Sequence, residues 1–114
     1  MDKNCIFCKI ASKEISKEFL YESDLVMAFH DINPEAPVHI LILPKVHISN
    51  INEVQDMGIF GDLFTAAKEI AEKEGVSEKG YRVVINTGKD GGQLVDHLHI
   101  HLIGGKKLGS KVSG

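Results

Sequence analysis

The stretch HLHIHLIGG, residues 97–105, sets three of the chain's six histidines on alternate positions. Successive side chains of a β-strand point to opposite faces. A strand over 97–103 therefore carries His97, His99 and His101 on one face and Leu98, Ile100 and Leu102 on the other. The apolar face needs a hydrophobic partner, and the imidazole face needs solvent or a site. Three readings suit that face: zinc held by a His-x-His pair, an imidazole nucleophile oriented by a second group, or a plain polar strand.

The residues just before it, NTGKDGGQ at 86–93, contain Gly88, Gly91 and Gly92. Glycines let backbone N–H groups come close to a phosphate. Alone such a loop is a turn; joined directly to the histidine strand it points to phosphate chemistry.

Working outward, VHILIL (38–43) is a strand bounded by Pro37 and Pro44, since proline is disfavoured inside a sheet. Phe19–Glu22 and Leu25–His30 read as two strands around Ser23 and Asp24, and YRVVIN (81–86) as another. From about Asp56 to Glu74, Phe60, Leu63, Phe64, Ala67, Ile70 and Ala71 form one helical stripe, with Gly75 as its C-cap. The opening CIFCKIASKEI suits a short helix. One main helix among successive strands predicts an α+β domain with a largely antiparallel sheet. The 114 residues, without repeat or linker, predict one domain spanning 1–114.

Hydrophobic content of 43% and charged content of 25% are those of a soluble globular protein. A net charge of −3 without a basic stripe argues against nucleic acid as the main partner. Lys106, Lys107 and Lys111 read as a solvated terminus. No apolar run approaches the ~20 residues of a membrane span, and MDKNCIFCKI lacks the apolar segment of a secretion signal. The expectation is a cytoplasmic protein, where two cysteines are free or metal-bound rather than bridged. Cys5 and Cys8 then read as a redox pair, a zinc half-site, or two small buried residues.

Taken together, HLHIHLI resembles the His-x-His-x-His signature of the histidine triad superfamily. FHDINPEAPVHILILPKVHI (29–48) and YRVVINTGKDGGQ (81–93) resemble two further blocks, in order, across nearly the whole chain. Gly-Gly-Gln before the triad and Gly-Gly after it are most similar to the Hint branch, the nucleoside phosphoramidate hydrolases. The resemblance implies a five-stranded, mostly antiparallel sheet with one long helix and a short N-terminal helix, in a homodimer with a purine mononucleotide site (AMP or GMP) in each subunit. It implies that His99 attacks the α-phosphorus to form a nucleotidyl-histidine, that His101 contacts the phosphate or leaving group, and that His39 belongs to the network orienting them. Asp31 matches the carboxylate that holds the ribose hydroxyls. Asn86, Gly92 and Gln93 match the phosphate-side loop, and Ile6, Phe7, Ile10, Phe29, His30, Ile32 and Leu41 the cup around the base. In similar bacterial chains the C-x-x-C pair joins two histidines around a structural zinc, which implies Cys5, Cys8, His47 and His97 as ligands and no catalytic metal.

The chain departs from the pattern at Leu94, where relatives place a polar residue, at Asp96, where they often place Tyr, and in a tail without Trp-Pro. The main expectation is hydrolysis of P–N or mixed-anhydride bonds at the α-phosphate. Two rivals stand beside it: a nucleotide-binding adaptor with vestigial catalysis, and a hydrolase whose zinc is held by the triad itself.

Overall fold

A computed structural model describes residues 4–109, so Lys111 lies outside the described residues. In chain order it runs α1 (Ile6–Ala11), β1 (Tyr21–Glu22), β2 (Val26–His30), β3 (Val38–Pro44), a short 3₁₀ turn (Ile51–Glu53), α2 (Gly58–Lys73), β4 (Tyr81–Val84) and β5 (Ile100–Gly104). The five strands form one sheet in the order β1-β2-β3-β5-β4, with every neighbouring pair antiparallel. This is the expected α+β architecture. Among the described residues no helix is long and apolar enough to cross a membrane.

Alternation along the strands divides the interior in two. Val26, Ala28, Ile40, Ile42, Ile100 and Leu102 pack against Leu63, Ala66, Ala67 and Ile70 of α2. On the opposite face Met27, Phe29, Leu41 and Leu43 pack against Cys5, Phe7, Cys8 and Ile10 at α1. β3 is buried along its whole length, and apart from His39 it is apolar from Val38 to Pro44, as a strand covered on both faces requires. Fully burying one such Leu or Ile contributes about 1.5–3 kcal/mol.

The elements differ from the sequence reading in instructive places. The α2 stripe includes Ala66, while Phe64 stays exposed and stacks on Phe60 with ring centroids 6.4 Å apart. The helix closes as a Schellman motif. Gly75 at φ +73° donates to the Glu72 carbonyl, and the Val76 N–H reaches the Ala71 carbonyl. Pro44 ends β3 instead of lying beyond it, pairing in register with Val26. The first two strands start later than expected, and the strand expected over 81–86 stops at Val84.

The largest difference concerns the histidine segment. The ladder begins only at Ile100, so His97 lies in a bend, its N–H bonded to the Val95 carbonyl, and Leu98 and His99 lead from it into the strand. There the Leu98 N–H donates to the Ile48 carbonyl, a loop partner instead of a strand. The alternation of faces survives. Leu98, Ile100 and Leu102 enter the α2 core, and Phe7 of α1 lies edge-on to both His97 and His99.

Candidate functional site

The three triad histidines occupy three different environments. His97 is fully buried, His99 is buried, and His101 is partly exposed. Burial holds the imidazoles neutral: it pulls His97 and His101 down to about 4 and lowers His99 as well.

His97 faces the cysteines. Its Nε2 lies 2.8 Å from the Pro44 carbonyl oxygen and must donate to it, which leaves the Nδ1 lone pair directed at the thiols. Nδ1 is 3.2 Å from Cys5 Sγ and 3.6 Å from Cys8 Sγ, and Cys8 Sγ is 3.3 Å from His47 Nδ1. All four donor atoms lie within 4.8 Å of one another. The S···N edge of a tetrahedron with ordinary Zn–S and Zn–N bonds is about 3.6 Å. Cys5 also caps α1, its Sγ accepting from the Cys8 N–H. Burial, the largest influence on the Cys5 thiol, raises its pKa, so this sulfur is stable as a thiol or as a metal-bound thiolate. The cluster of Cys5, Cys8, His47 and His97 can hold a metal ion, and all four donors are protein atoms.

His99 and His101 face away from that cluster into a cavity of about 590 Å³. Nδ1 of His99 is 2.7 Å from the His97 carbonyl oxygen. A carbonyl only accepts, so Nδ1 carries the proton and Nε2 the free lone pair. Nearby, the Glu35 N–H donates to His39 Nδ1 at 3.0 Å, which places the His39 proton on Nε2. Nε2 in turn donates to His101 Nδ1 at 3.0 Å, so His101 presents its own N–H from Nε2. The second carboxylate oxygen of Asp31 lies 3.4 Å from His39 Nε2, and the first accepts from the Asn33 N–H.

Asp31, His39 and His101 also place three ligand atoms close together. A histidine bound to metal through Nε2 ordinarily donates from Nδ1, and the Glu35 N–H at that nitrogen opposes this. The second cluster is wired for hydrogen bonding. Among the described residues the two metal-capable clusters divide the triad, with His97 in one and His101 in the other.

The cavity walls include Ile6, Phe7, Ile10, Phe29, His30, Asp31, Ile32, Leu41, Asn86 and Gly92. Phe7, Ile10, Phe29 and Leu41 serve both as wall and as core beneath it, whereas Ile32 is 79% exposed at the rim. His39 lies behind the lining. Gln93 also stays out of it and braces the loop: its Oε1 accepts from the Gly88 N–H, and its Nε2 donates to the Ser49 and Val95 carbonyls.

The loop glycines act differently from the expectation that their N–H groups face a phosphate. The N–H groups of Gly91 and Gly92 are spent on the Gly88 and Lys89 carbonyls. A Cβ at Gly91 would sit 2.4 Å from the Thr87 carbonyl oxygen, so this glycine is present for backbone approach. Asn86 Nδ2 donates to the Gly91 carbonyl and ties the loop to the end of β4.

Sequence reasoning did not single out Ile15, Ser16, Lys17, Asn33, Glu35 and Val95 as lining residues. Most belong to connections whose path depends on tertiary packing; the hydrophilic run KEISKE carries no pattern that marks it as a wall.

Residues 12–108 match the HIT domain family. The chain is 47% identical over 111 residues to the purine nucleoside phosphoramidase of Escherichia coli, covering 96% of this chain and 93% of that one. A histidine triad protein from Clostridium difficile superposes with a TM-score of 0.94 at 44% identity, covering 98% of this chain and 99% of the other. A HIT family hydrolase from Clostridium thermocellum does so at 0.95 and 46%, covering 99% and 100%. The α1 helix precedes the matched segment, yet it supplies a wall of the cavity and carries Cys8, with Cys5 at its cap. By sequence and by fold, the chain belongs to the HIT domain family.

Proposed function

We propose that this single-domain chain is a nucleotide hydrolase. It cleaves P–N or mixed-anhydride bonds at the α-phosphate of purine nucleoside monophosphates, such as AMP or GMP phosphoramidates and acyl- or aminoacyl-adenylates. One observation carries the reading: the 2.7 Å contact from His99 Nδ1 to the His97 carbonyl, which leaves an unprotonated Nε2 on a ring that lines the cavity. The name of the E. coli relative supports the substrate class.

The steps follow from the hydrogen-bond wiring. The Nε2 lone pair of His99 forms a bond to phosphorus as the P–N bond breaks; the amine leaves with that electron pair and takes a proton from solvent. Positive charge that develops on the His99 ring is stabilised at Nδ1 by the His97 carbonyl. His101 Nε2–H donates to a phosphoryl oxygen. With His39 Nδ1 pinned as an acceptor, the His39–His101 pair has no spare proton to pass on, so His101 stabilises charge without giving up its proton. Water then attacks phosphorus, loses a proton to solvent, and His99 departs with its lone pair restored. Asp31 accepts from the ribose hydroxyls, the apolar walls take the base, and Asn86, Gly92 and Gln93 shape the phosphate side.

Cys5, Cys8, His47 and His97 would hold a structural zinc ion, which would fasten α1 against the chain entering β5. A homodimer fits the exposed edge strand β4, with Tyr81 and Val83 on its surface, and the exposed Phe64 of α2.

Incubation with adenosine 5′-phosphoramidate should release AMP, and His99→Ala should lose most of this activity. An AMP adduct trapped by acid quench and located by mass spectrometry should map to His99; an adduct on any other residue overturns the assignment. Tight AMP binding with negligible turnover would select the adaptor reading instead.

A further inference from the structure

The cavity described above is apolar along most of its base-facing wall, and a purine edge bearing hydrogen-bonding groups must find partners at its rim. The side chain that stands out there is Lys17, on the connection between α1 and β1. Its Nζ lies 5.3 Å from the centroid of Phe29, the buried ring in the cavity wall. The neighbouring lysines carry ion pairs. Lys13, which also lies 4.9 Å from the Phe19 centroid, and Lys45 both converge on Glu22, at 3.5 and 2.8 Å. Among the described residues no ion pair is formed by Lys17. Its ammonium is held over an aromatic ring at the cavity, the arrangement of a cation–π contact.

The site has a direction. His99 and His101 mark the phosphate end, and Asp31, just past the end of β2, marks the ribose. Phe29 lies two residues back along the same strand, so a base continuing beyond the ribose lies beside Phe29 and ends near Lys17. An ammonium has three donors and no acceptor. Guanine carries an acceptor, O6, at the corner shared by its Watson–Crick and Hoogsteen edges, where adenine carries the N6 amino donor. At that corner Lys17 meets an acceptor in guanine and a like-polarity donor in adenine; ring acceptors such as N7 are open to it in either purine, so the discrimination lies at position 6.

We propose that Lys17 is a base-selecting residue and that the preferred substrates of this site are guanosine nucleotides. The inference rests on the nucleotide-hydrolase reading given above and narrows it to one purine. Stacking of the cation on the ring system would favour both purines alike, so selectivity comes from O6 alone.

The test compares kcat/KM for guanosine and adenosine 5′-phosphoramidate, at one salt concentration, in the native chain, Lys17→Met and Lys17→Arg. Methionine keeps the apolar stem and removes the donors; arginine keeps them. Guanosine should be preferred by about fivefold in the native chain, the lower end of what one good base contact supplies. The ratio should fall to near one in K17M and persist in K17R, with guanosine losing more than adenosine in K17M. Dissociation constants of GMP and AMP, measured by calorimetry on the same three proteins, should show the same pattern without any turnover. An unchanged guanosine-to-adenosine ratio in K17M, or no preference in the native chain, overturns the proposal. Selective GMP binding without hydrolysis would sustain Lys17 while refuting the hydrolase reading.

Discussion

Nε2 of His39 donates to Nδ1 of His101 across 3.0 Å, and that single bond determines which nitrogen His101 presents to the cavity. The bond has only one polarity, because the Glu35 N–H already occupies the other nitrogen of His39. His39 acts as a positioning residue: behind the lining, it selects the tautomer of a ring that faces it. Replacing His39 with alanine leaves His101 free to turn and to swap its proton between nitrogens. We expect kcat to fall by about tenfold or more, on the scale of ~1–3 kcal/mol for losing a buried hydrogen-bond partner, with KM changed less. His39→Gln, whose amide N–H can replace Nε2–H, should recover part of the loss. Steady-state kinetics on the two variants decides; equal activity in H39A and the native chain would contradict the wiring.

The Cys5–Cys8–His47–His97 cluster leads to a stability prediction. Metal analysis of the purified protein should find about one zinc per chain, and Cys8→Ser should lose it. Binding to the folded state alone converts to folding free energy. Loss of about 2–4 kcal/mol should lower Tm by roughly 10 °C for a chain of this size. Assayed well below that temperature, the variant should keep measurable turnover, because the ligands are separate from the cavity nitrogens. Native-like Tm in a zinc-free C8S protein would show that the cluster is an ordinary buried thiol–imidazole contact.

Gly91 offers a test of the loop. A methyl group there meets the Thr87 carbonyl at 2.4 Å, and the backbone must shift to admit it. Gly91→Ala should cost about 1–3 kcal/mol, the usual range for an intolerable added methyl. It should also raise KM by loosening the Asn86 contact to the Gly91 carbonyl. Urea unfolding and nucleotide titration measure the two effects separately. The same substitution at Gly61, where nothing lies within 4 Å of the added atom, serves as the control.

Acid should weaken the fold, and the sign follows from burial. His101 titrates near 4 in the folded chain against 6.5 for the ordinary group. Between those values the unfolded chain binds more protons, so stability falls as pH drops from 6.5 toward 4 and levels off below. Urea midpoints at pH 7 and pH 5 should differ accordingly, and His101→Asn should reduce the difference. A native chain equally stable at both values would refute the argument.

Much of this architecture was legible from side-chain periodicity. The apolar residues of VHILIL at 38–43, bounded by Pro37 and Pro44, marked a strand, and alternation at 97–102 separated the histidine face from the apolar one. The cavity side chains from Ile6 to Leu41 were legible through resemblance, since nothing in an isolated Phe7 or Leu41 distinguishes wall from core, and here they are both. What escaped depends on tertiary geometry. The Glu35 N–H that orients His39 is a backbone group with no sequence signature. The glycine loop was read as a cradle of free donors, yet its N–H groups close its own turns. Lys17 looked like any surface lysine until the chain folded it over Phe29.

The strand order carries one more consequence, for how the molecule is made. β5 is last in sequence but lies between β3 and β4, so β4 has no partner in the sheet until β5 arrives. A growing chain that has emerged only as far as the glycine loop holds both cysteines, the long helix and an open sheet, but neither His99, the proposed nucleophile, nor His101 beside it. Under the proposed function, truncated or prematurely released chains should therefore be catalytically silent. The residues on which that proposal rests arrive together with those that close the sheet.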